Sequence, residues 1–293
     1  MIAHLKYWIE GARLNTLPAS MSPVLIASAL AYYENGFQLL VFLYCLAFAV
    51  LGQIGSNYAN DYLDSKKGAD TKDRSGPRRL VSCGLLSENS MRLAAILVLT
   101  SAFLIGLNLI PYGGYGLLIV GLASVFFAYC YTGGPYPLAY NALGDIFVVL
   151  FFGLIAVCVT FYVHTLTMNW LILLNALACG CLTNNLLVIN NIRDCEEDRA
   201  CGKRTTIVLF GKGFGKQLIT ISCFLAGITP IINAFATHSL LPILGTIPPL
   251  ICWTQIRHIL DLQSKESLYP LLKNTGLNVF LYGILVSLGF FFI

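Results

Sequence analysis

The chain has 293 residues, of which 57% are hydrophobic and only 11% are charged, and its mean hydropathy is +0.75. This composition excludes an ordinary soluble globular protein and indicates a polytopic membrane protein whose main solvent is the bilayer. The formal net charge is +4, and the charged residues are concentrated in a few loops.

Nine apolar windows of about 20 residues follow one another, each long enough to cross about 30 Å of hydrocarbon. In chain order they cover residues 15–33, 38–60, 91–110, 114–131, 142–163, 170–192, 216–236, 240–257 and 275–293. The sequence therefore predicts an all-α fold. We expect one integral-membrane domain, residues 1–293, with nine transmembrane helices around a central cavity and cytoplasmic loops that cap it.

The loop charges predict the orientation of these helices. All 18 Lys and Arg residues lie before the first helix or after the second, sixth and eighth, and basic residues in short loops are retained on the cytoplasmic side. Alternating spans then place the N-terminus in the cytoplasm and the C-terminus outside. Of the 14 acidic residues only Glu34 falls on the far side, so we expect the polar chemistry on the cytoplasmic face.

Two acidic clusters close the second and sixth predicted helices. The first contains Asn57, Asn60, Asp61 and Asp64, and the second contains Asn190, Asn191, Arg193, Asp194 and Asp198. Carboxylates three or four residues apart share a helical face, and Mg²⁺ commonly takes one or two carboxylates together with phosphate oxygens. The four aspartates are therefore predicted to be catalytic metal ligands, assisted by Asn60, that hold a diphosphate. A solvated acidic helix end is the alternative for each cluster.

The two clusters also indicate an internal repeat. Asp61 and Asp194 are 133 residues apart, and each follows an even-numbered helix, four helices apart. Helices one to four and five to eight are therefore interpreted as two related halves, with the ninth helix as an addition. Coincidence is the alternative, since acidic helix ends are common near the cytoplasm.

A basic loop follows each cluster, and positive charge stabilises a departing diphosphate. The expected diphosphate-binding residues are Asn57, Lys67, Arg78, Asn190, Arg193, Lys203 and Arg204. For each Lys and Arg, a simple positive-inside anchor is the alternative. Residues 65–90 and 199–215 mix basic, glycine and apolar residues, which predicts short helices that cap the cavity as lids.

The loop after the fourth predicted helix is rich in tyrosine. It contains Tyr131, Tyr136 and Tyr140, and Asp145 follows shortly after it. Aromatic hydroxyls and turn-forming residues suit the wall of a pocket for a flat aromatic acceptor, although an interfacial tyrosine belt has a similar composition.

These motifs together resemble the UbiA superfamily of intramembrane prenyltransferases. Segments 57–64, 76–81, 131–135, 143–145 and 190–205 are similar to its 1,4-dihydroxy-2-naphthoate branch. Other branches have Tyr-x-x-x-Lys after the fourth helix, whereas this chain has Tyr136-x-x-x-Tyr140, so that lysine and its phosphate contact cannot be carried over. Asp70 is a candidate for a further acid of the first motif.

The resemblance implies an enzyme of a bacterial inner membrane that uses Mg²⁺, with two ions expected. It would transfer a polyprenyl group from an isoprenoid diphosphate to 1,4-dihydroxy-2-naphthoate, with loss of CO₂ and diphosphate. The demethylmenaquinol-type product would enter menaquinone or phylloquinone synthesis. Another acceptor (4-hydroxybenzoate, homogentisate or a chlorophyllide) remains open, as does, more distantly, a divalent-cation transporter. The expected partners are both substrates and the lipid bilayer, with no nucleic acid.

Overall fold

The computed structural model of the protein describes residues 2–67, 78–262 and 265–293. Helices account for most of these residues, and no β-strand forms within the described ranges. The α-helices are α1 Ile2–Ala12, α2 Leu17–Tyr33, α3 Leu39–Lys66, α4 Glu88–Gly106, α5 Ile110–Gly113, α6 Gly116–Cys130, α7 Gly144–Val148, α8 Ala156–Thr165, α9 Trp170–Arg193, α10 Cys195–Ala200, α11 Thr206–Phe210, α12 Lys212–Thr237, α13 Ile247–Leu262 and α14 Lys265–Phe291. The predicted all-α class is confirmed.

In the described ranges, seven helical stretches are long and apolar enough to cross a membrane. They are Leu5–Tyr33, Leu39–Lys66, Glu88–Gly113, Gly144–Thr165, Trp170–Arg193, Lys212–Thr237 and Pro270–Phe291. The other two predicted windows hold shorter helices: α6 has 15 residues, and α13 has 16 after a 3-10 turn. The chain is therefore a multi-pass membrane protein in which every predicted window forms a helix, while the count of nine spans is approximate.

Local sequence explains where several helices begin. The Asn169 side chain caps α9 by accepting a hydrogen bond from the Ile172 backbone N–H at 2.9 Å. Ser87 caps α4 in the same way through the Ser90 N–H. Pro18 lies in the first turn of α2, where a missing N–H costs nothing because that group has no helical partner. These caps satisfy terminal N–H groups that a helix cannot satisfy by itself.

Two glycines bring α9 close to residues 149–155, which are wound as a π-helix between α7 and α8. A Cβ atom on Gly153 would lie 2.5 Å from the Ala176 carbonyl oxygen, and one on Gly180 would lie 2.7 Å from the Val149 carbonyl oxygen. Small residues allow such backbone contact between membrane helices. The contact holds α9, whose end carries the second acidic cluster, against the segment that follows the tyrosine loop.

The acidic clusters lie at helix ends, as predicted. α3 continues to Lys66, so the first cluster occupies its last turns. α9 ends at Arg193, and Asp194 joins it to the short helix α10. The Asp198 N–H donates to the Asp194 carbonyl at 2.7 Å, which keeps these two residues one turn apart.

Large apolar side chains cover the outer faces of the helices. Phe235 on α12 is 78% exposed and Ile119 on α6 is 74% exposed, while Phe161 and Tyr282 are fully buried inside. This distribution is expected where the surrounding solvent is hydrocarbon rather than water.

Candidate active site

A cavity of about 420 Å³ lies between α2, α3, α4, α6, the segment from α7 to α8, and α9. One face of α3 lines it at helical spacing. The residues of this face, here called the α3 stripe, are Cys45, Phe48, Ala49, Gly52, Gln53, Ser56, Asn60 and Asp64. The stripe is polar from Gln53 to Asp64, whereas Cys45, Phe48, Ala49 and Gly52 are apolar or small. The cavity therefore has a polar end at the first acidic cluster and an apolar end toward the opposite membrane face.

Both acidic clusters contribute to the polar end. Among the predicted site residues, those that line the cavity are Asn60, Asp64, Tyr131, Asp145, Asn190 and Lys203. Arg13 and Arg79 line it as well, although neither is among the predicted site residues. The clusters are 133 residues apart in the chain, and tertiary folding brings them to one cavity.

Asp64 is the carboxylate of the first cluster that lines the cavity. Its Oδ2 accepts a hydrogen bond from Arg79 Nη2 at 3.1 Å, and its Oδ1 accepts one from the Tyr140 hydroxyl at 2.9 Å. Asn60, one turn earlier, accepts a hydrogen bond from the Thr132 hydroxyl. These contacts orient two oxygen-bearing side chains of α3 toward the loop that follows α6.

Asp61 has a different environment from Asp64. It is 1% exposed, and its carboxylate accepts the backbone N–H groups of Leu80 at 3.1 Å and Val81 at 3.0 Å. A carboxylate that bonds two backbone N–H groups anchors their segment firmly. Asp61 therefore ties the turn that follows Arg79 to the end of α3.

The second cluster contains a buried ion pair between neighbours in the chain. Arg193 Nε donates to Asp194 Oδ1 at 2.6 Å and Arg193 Nη2 donates to Asp194 Oδ2 at 2.8 Å. The same Nη2 donates to Asn190 Oδ1 at 2.6 Å. Asp198 pairs with Lys203 at 3.3 Å. The side chains thus form two groups, one of Asn190, Arg193 and Asp194 and one of Asp198 and Lys203.

Tyr140 joins the two clusters. Its hydroxyl donates to Asp64, while the Lys67 ammonium lies 4.3 Å and the Lys203 ammonium 5.4 Å from its ring centroid. Its carbonyl accepts the Arg204 N–H at 3.0 Å. Cations within about 6 Å of a ring are attracted to its face. Tyr140 therefore contacts a carboxylate and a lysine near the first acidic cluster and a lysine near the second.

Lys67 is held just beyond the end of α3, where its ammonium donates to the Thr132 carbonyl. Burial lowers the pKa of this ammonium, the nearby Asp64 carboxylate raises it, and Lys203 lowers it further. The net shift is downward, so Lys67 loses its proton at a lower pH than an ordinary lysine.

Asp145 lies on the wall of the cavity at the start of α7. It accepts hydrogen bonds from Asn184 Nδ2 at 3.0 Å and from the Thr206 hydroxyl at 2.6 Å. Its two oxygens are thereby oriented by α9 and α11. Neither partner could be inferred from the spacing of the motif.

Ten predicted residues do not line the cavity. Six of them, whose contacts are given above, are Asp61, Lys67, Tyr140, Arg193, Asp194 and Asp198, and the other four are Asn57, Arg78, Tyr136 and Arg204. Arg78 is half exposed and pairs with Glu10 at 3.1 Å, and Tyr136 is 62% exposed. The side chain of Arg204 is exposed. Asn57 is buried and donates to the Ala12 carbonyl at 2.9 Å, so it fastens the turn between α1 and α2.

The structure covers the two predicted lid segments, 199–215 and 65–90, to different extents. In 199–215, α11 is a short helix whose start is capped by Thr205, as expected for a capping segment. In 65–90, residues 68–77, which include Asp70, lie outside the described residues, and residues 78–87 form turns instead of the predicted short helix.

Comparison with known proteins agrees with this arrangement. The profile of the UbiA prenyltransferase family matches residues 20–284. The 1,4-dihydroxy-2-naphthoate octaprenyltransferase of Escherichia coli is 34% identical, covering 99% of this chain and 96% of that protein.

Solved structures share the fold. An apo UbiA homolog from Aeropyrum pernix K1 aligns with a TM-score of 0.70 at 15% identity, covering 94% of this chain and 99% of that one. A UbiA homolog from Archaeoglobus fulgidus bound to GPP and Mg²⁺ aligns with a TM-score of 0.62 at 17% identity, covering 94% and 99%. With two acidic helix ends meeting at one cavity and a family profile that covers most of its length, the chain belongs to the UbiA prenyltransferase family.

Proposed function

We propose that this protein transfers a polyprenyl group from an isoprenoid diphosphate to 1,4-dihydroxy-2-naphthoate, with release of CO₂ and diphosphate. The product is a demethylmenaquinol-type molecule for menaquinone or phylloquinone synthesis. The observation that carries the proposal is the polarity of the cavity along α3, from Asp64 at one end to Cys45 at the other. Such a cavity suits a substrate with a charged head and a long apolar tail. The name of the E. coli relative supports the choice of acceptor.

The residues at the polar end fit magnesium bound together with phosphate. Among the described residues, no group of three or more His, Cys, Asp or Glu side chains could hold a metal by itself. Mg²⁺ does not need such a cage, since one or two carboxylates and substrate phosphate oxygens commonly complete its coordination. Asp64 with Asn60 supplies one oxygen set at the cavity wall. We assign the other to Asp194 and Asp198, whose side chains contact the lining residues through Arg193 and Lys203. Two sets favour two ions, one for each cluster.

Bound magnesium would neutralise charge on the diphosphate and make it a better leaving group. The chain supplies the other cations. Arg79 and Lys203 line the cavity while touching Asp64 and Asp198, so both are placed to donate hydrogen bonds to phosphate oxygens. Arg193 donates hydrogen bonds to both oxygens of Asp194 and thereby orients this carboxylate. We assign Asp61 to holding the turn after Arg79, in addition to its expected part in metal binding.

Transfer requires that the bond from the prenyl C1 to the diphosphate oxygen breaks and that both electrons leave with the diphosphate. The electron-rich acceptor ring then forms a carbon–carbon bond to C1, and the ring carboxylate departs as CO₂. The apolar walls exclude water, which would otherwise capture the allylic cation. We place the acceptor near Tyr131 and Asp145, which line the cavity beside its polar end.

In the proposed orientation, the N-terminus and both clusters face the cytoplasm of a bacterium and the C-terminus lies outside. Arg13, Arg79 and Lys203 line the polar end, whereas Glu34 at the other end accepts a hydrogen bond from Asn169. The positive-inside rule supports this direction. The test is to replace the ten native cysteines, to introduce a single cysteine at Glu34 or at Arg204, and to label intact cells. Only the cysteine at position 34 should react with an impermeant maleimide.

Mass spectrometry of products tests the function. Purified protein is supplied with Mg²⁺, octaprenyl diphosphate and an equimolar mixture of dihydroxynaphthoate, 4-hydroxybenzoate and homogentisate. A prenylated naphthoquinol without the carboxylate is expected as the main product. A product that keeps the carboxylate would refute the decarboxylation, and prenylation of another acceptor would refute the choice of naphthoate.

A further inference from the structure

The position of a residue on the α3 stripe gives its distance along the helix from Asp64, because each residue adds a constant rise. Gly52 lies twelve residues before Asp64, which corresponds to about 18 Å along the helix at 1.5 Å per residue. Gly52 is also where the stripe stops being polar, since Gln53 and Ser56 follow it toward Asp64. A prenyl tail that follows this stripe meets Gly52 on its way toward Cys45.

Four glycines line the cavity, and they differ in what a side chain would meet. A Cβ on Gly106 would lie 3.0 Å from the ring of Phe48, and a Cβ on Gly121 would lie 3.5 Å from the ring of Phe103. A Cβ on Gly52 would meet nothing within 4 Å. A Cβ on Gly144 would lie 3.1 Å from Leu187 Cδ2 and 3.2 Å from the Tyr131 hydroxyl. Gly106, Gly121 and Gly144 are therefore packed against other side chains, whereas Gly52 opens into free space.

Glycine inside a helix lowers its stability relative to alanine, and no close packing at Gly52 requires the missing side chain. The open volume next to Gly52 is the feature that glycine preserves. Because that volume belongs to the cavity, it is available to a ligand.

We propose that Gly52 determines which prenyl chain lengths the enzyme accepts, because its missing side chain leaves the channel open about 18 Å from Asp64. This assignment rests on the proposed function. An extended chain advances about 1.2 Å per bond, so a geranyl tail spans about 8 Å and stops short of Gly52. An octaprenyl tail, at about 37 Å by the same measure, must pass it.

The test is the ratio of kcat/KM for octaprenyl diphosphate to kcat/KM for geranyl diphosphate, measured with the wild type and with Gly52→Phe. We expect the variant to keep geranyl transfer within about 3-fold and to lose octaprenyl transfer by about 10-fold or more, in the range that steric discrimination in apolar pockets reaches. Gly52→Leu, a smaller change, should lower the ratio less.

Gly227→Phe is the matched control. Gly227 also lies within a membrane helix, α12, does not line the cavity, and would place its Cβ no closer than 4.0 Å to Pro249. Its ratio should equal that of the wild type. Ala49→Phe, about 22 Å from Asp64, should instead spare geranylgeranyl transfer, whose tail spans about 18 Å, and still block octaprenyl transfer.

An unchanged ratio in folded Gly52→Phe and Gly52→Leu would overturn the assignment, and so would an equal loss with both substrates. Either result leaves the proposed function intact, because the wild type still transfers both tails. A wild type that transfers neither tail would overturn the proposed function, and the assignment of Gly52 with it.

Discussion

Removing one hydroxyl group tests whether Tyr140 holds the metal-binding end of α3 in place. In Tyr140→Phe, Asp64 loses the hydrogen bond of 2.9 Å and keeps the contact with Arg79. Asp64 is only 6% exposed, so water cannot readily replace the lost donor. A hydrogen bond to a charged group contributes about 1.5–3 kcal/mol, which corresponds to roughly 10–150-fold in an equilibrium constant.

The effect should appear in magnesium activation. Loss of a group that orients a metal-ligating carboxylate typically costs about 10–100-fold in metal affinity or activity. Since Arg79 still orients Asp64, we expect the lower end, an increase of about 10-fold in the Mg²⁺ concentration that gives half-maximal transfer. The assay is a Mg²⁺ titration at saturating substrates, with thermal unfolding measured in parallel.

Two further variants separate the hydroxyl from the ring. Tyr136→Phe makes the same chemical change at a 62% exposed side chain and should leave the titration unchanged. Tyr140→Leu also removes the ring beside Lys67 and Lys203, so the KM for the prenyl diphosphate should rise as well. A folded Tyr140→Phe protein with wild-type magnesium dependence would refute the proposed role of Tyr140.

Three other predictions concern the charged residues. Asp194→Ala should abolish transfer in folded protein, and EDTA should abolish transfer by the wild type. Glu196→Ala should keep transfer, because Glu196 is 61% exposed. Full activity of Asp194→Ala would contradict the metal-diphosphate site. Arg79→Gln should lower kcat/KM by about 10-fold or more through loss of a charge-assisted hydrogen bond. Arg78→Gln should change kcat/KM little, because the native partner of Arg78 is Glu10. A larger loss of kcat/KM in Arg78→Gln than in Arg79→Gln would show that the wrong arginine is assigned. The kcat/KM for the prenyl diphosphate should fall as pH rises through the lowered pKa of Lys67. In Lys67→Arg this fall should begin at a higher pH, because a guanidinium stays charged. Identical pH profiles of kcat/KM for the wild type and Lys67→Arg would exclude Lys67 from diphosphate binding.

Much of the fold is encoded locally. A run of apolar residues long enough for the bilayer must form a helix, because hydrocarbon leaves backbone N–H and C=O groups no other partner. For this reason the windows in the sequence correspond to helices, including the shorter α6 and α13. Charged residues at helix ends can also be predicted from the sequence, since Asp61, Asp64 and Asp194 follow long apolar stretches.

Contacts between segments that are distant in the chain cannot be predicted from the sequence in the same way. Arg78 and Arg79 are chemically identical neighbours, yet one pairs with Glu10 and the other with Asp64. The expected relation between the two halves as repeats stays a prediction, because similar charge placement does not establish similar backbone.

The sequence by itself determined the membrane class, the helices, the two acidic clusters and the family that their motifs resemble, because each depends on residues close together in the chain. Only the tertiary structure decided that Lys67 and Lys203 both lie against the ring of Tyr140, that Asp61 binds backbone N–H groups, and that Gly52 faces open space. The physical reason is that each of these facts depends on which way a side chain points and on what another segment places opposite it. That direction is set when all the helices pack together.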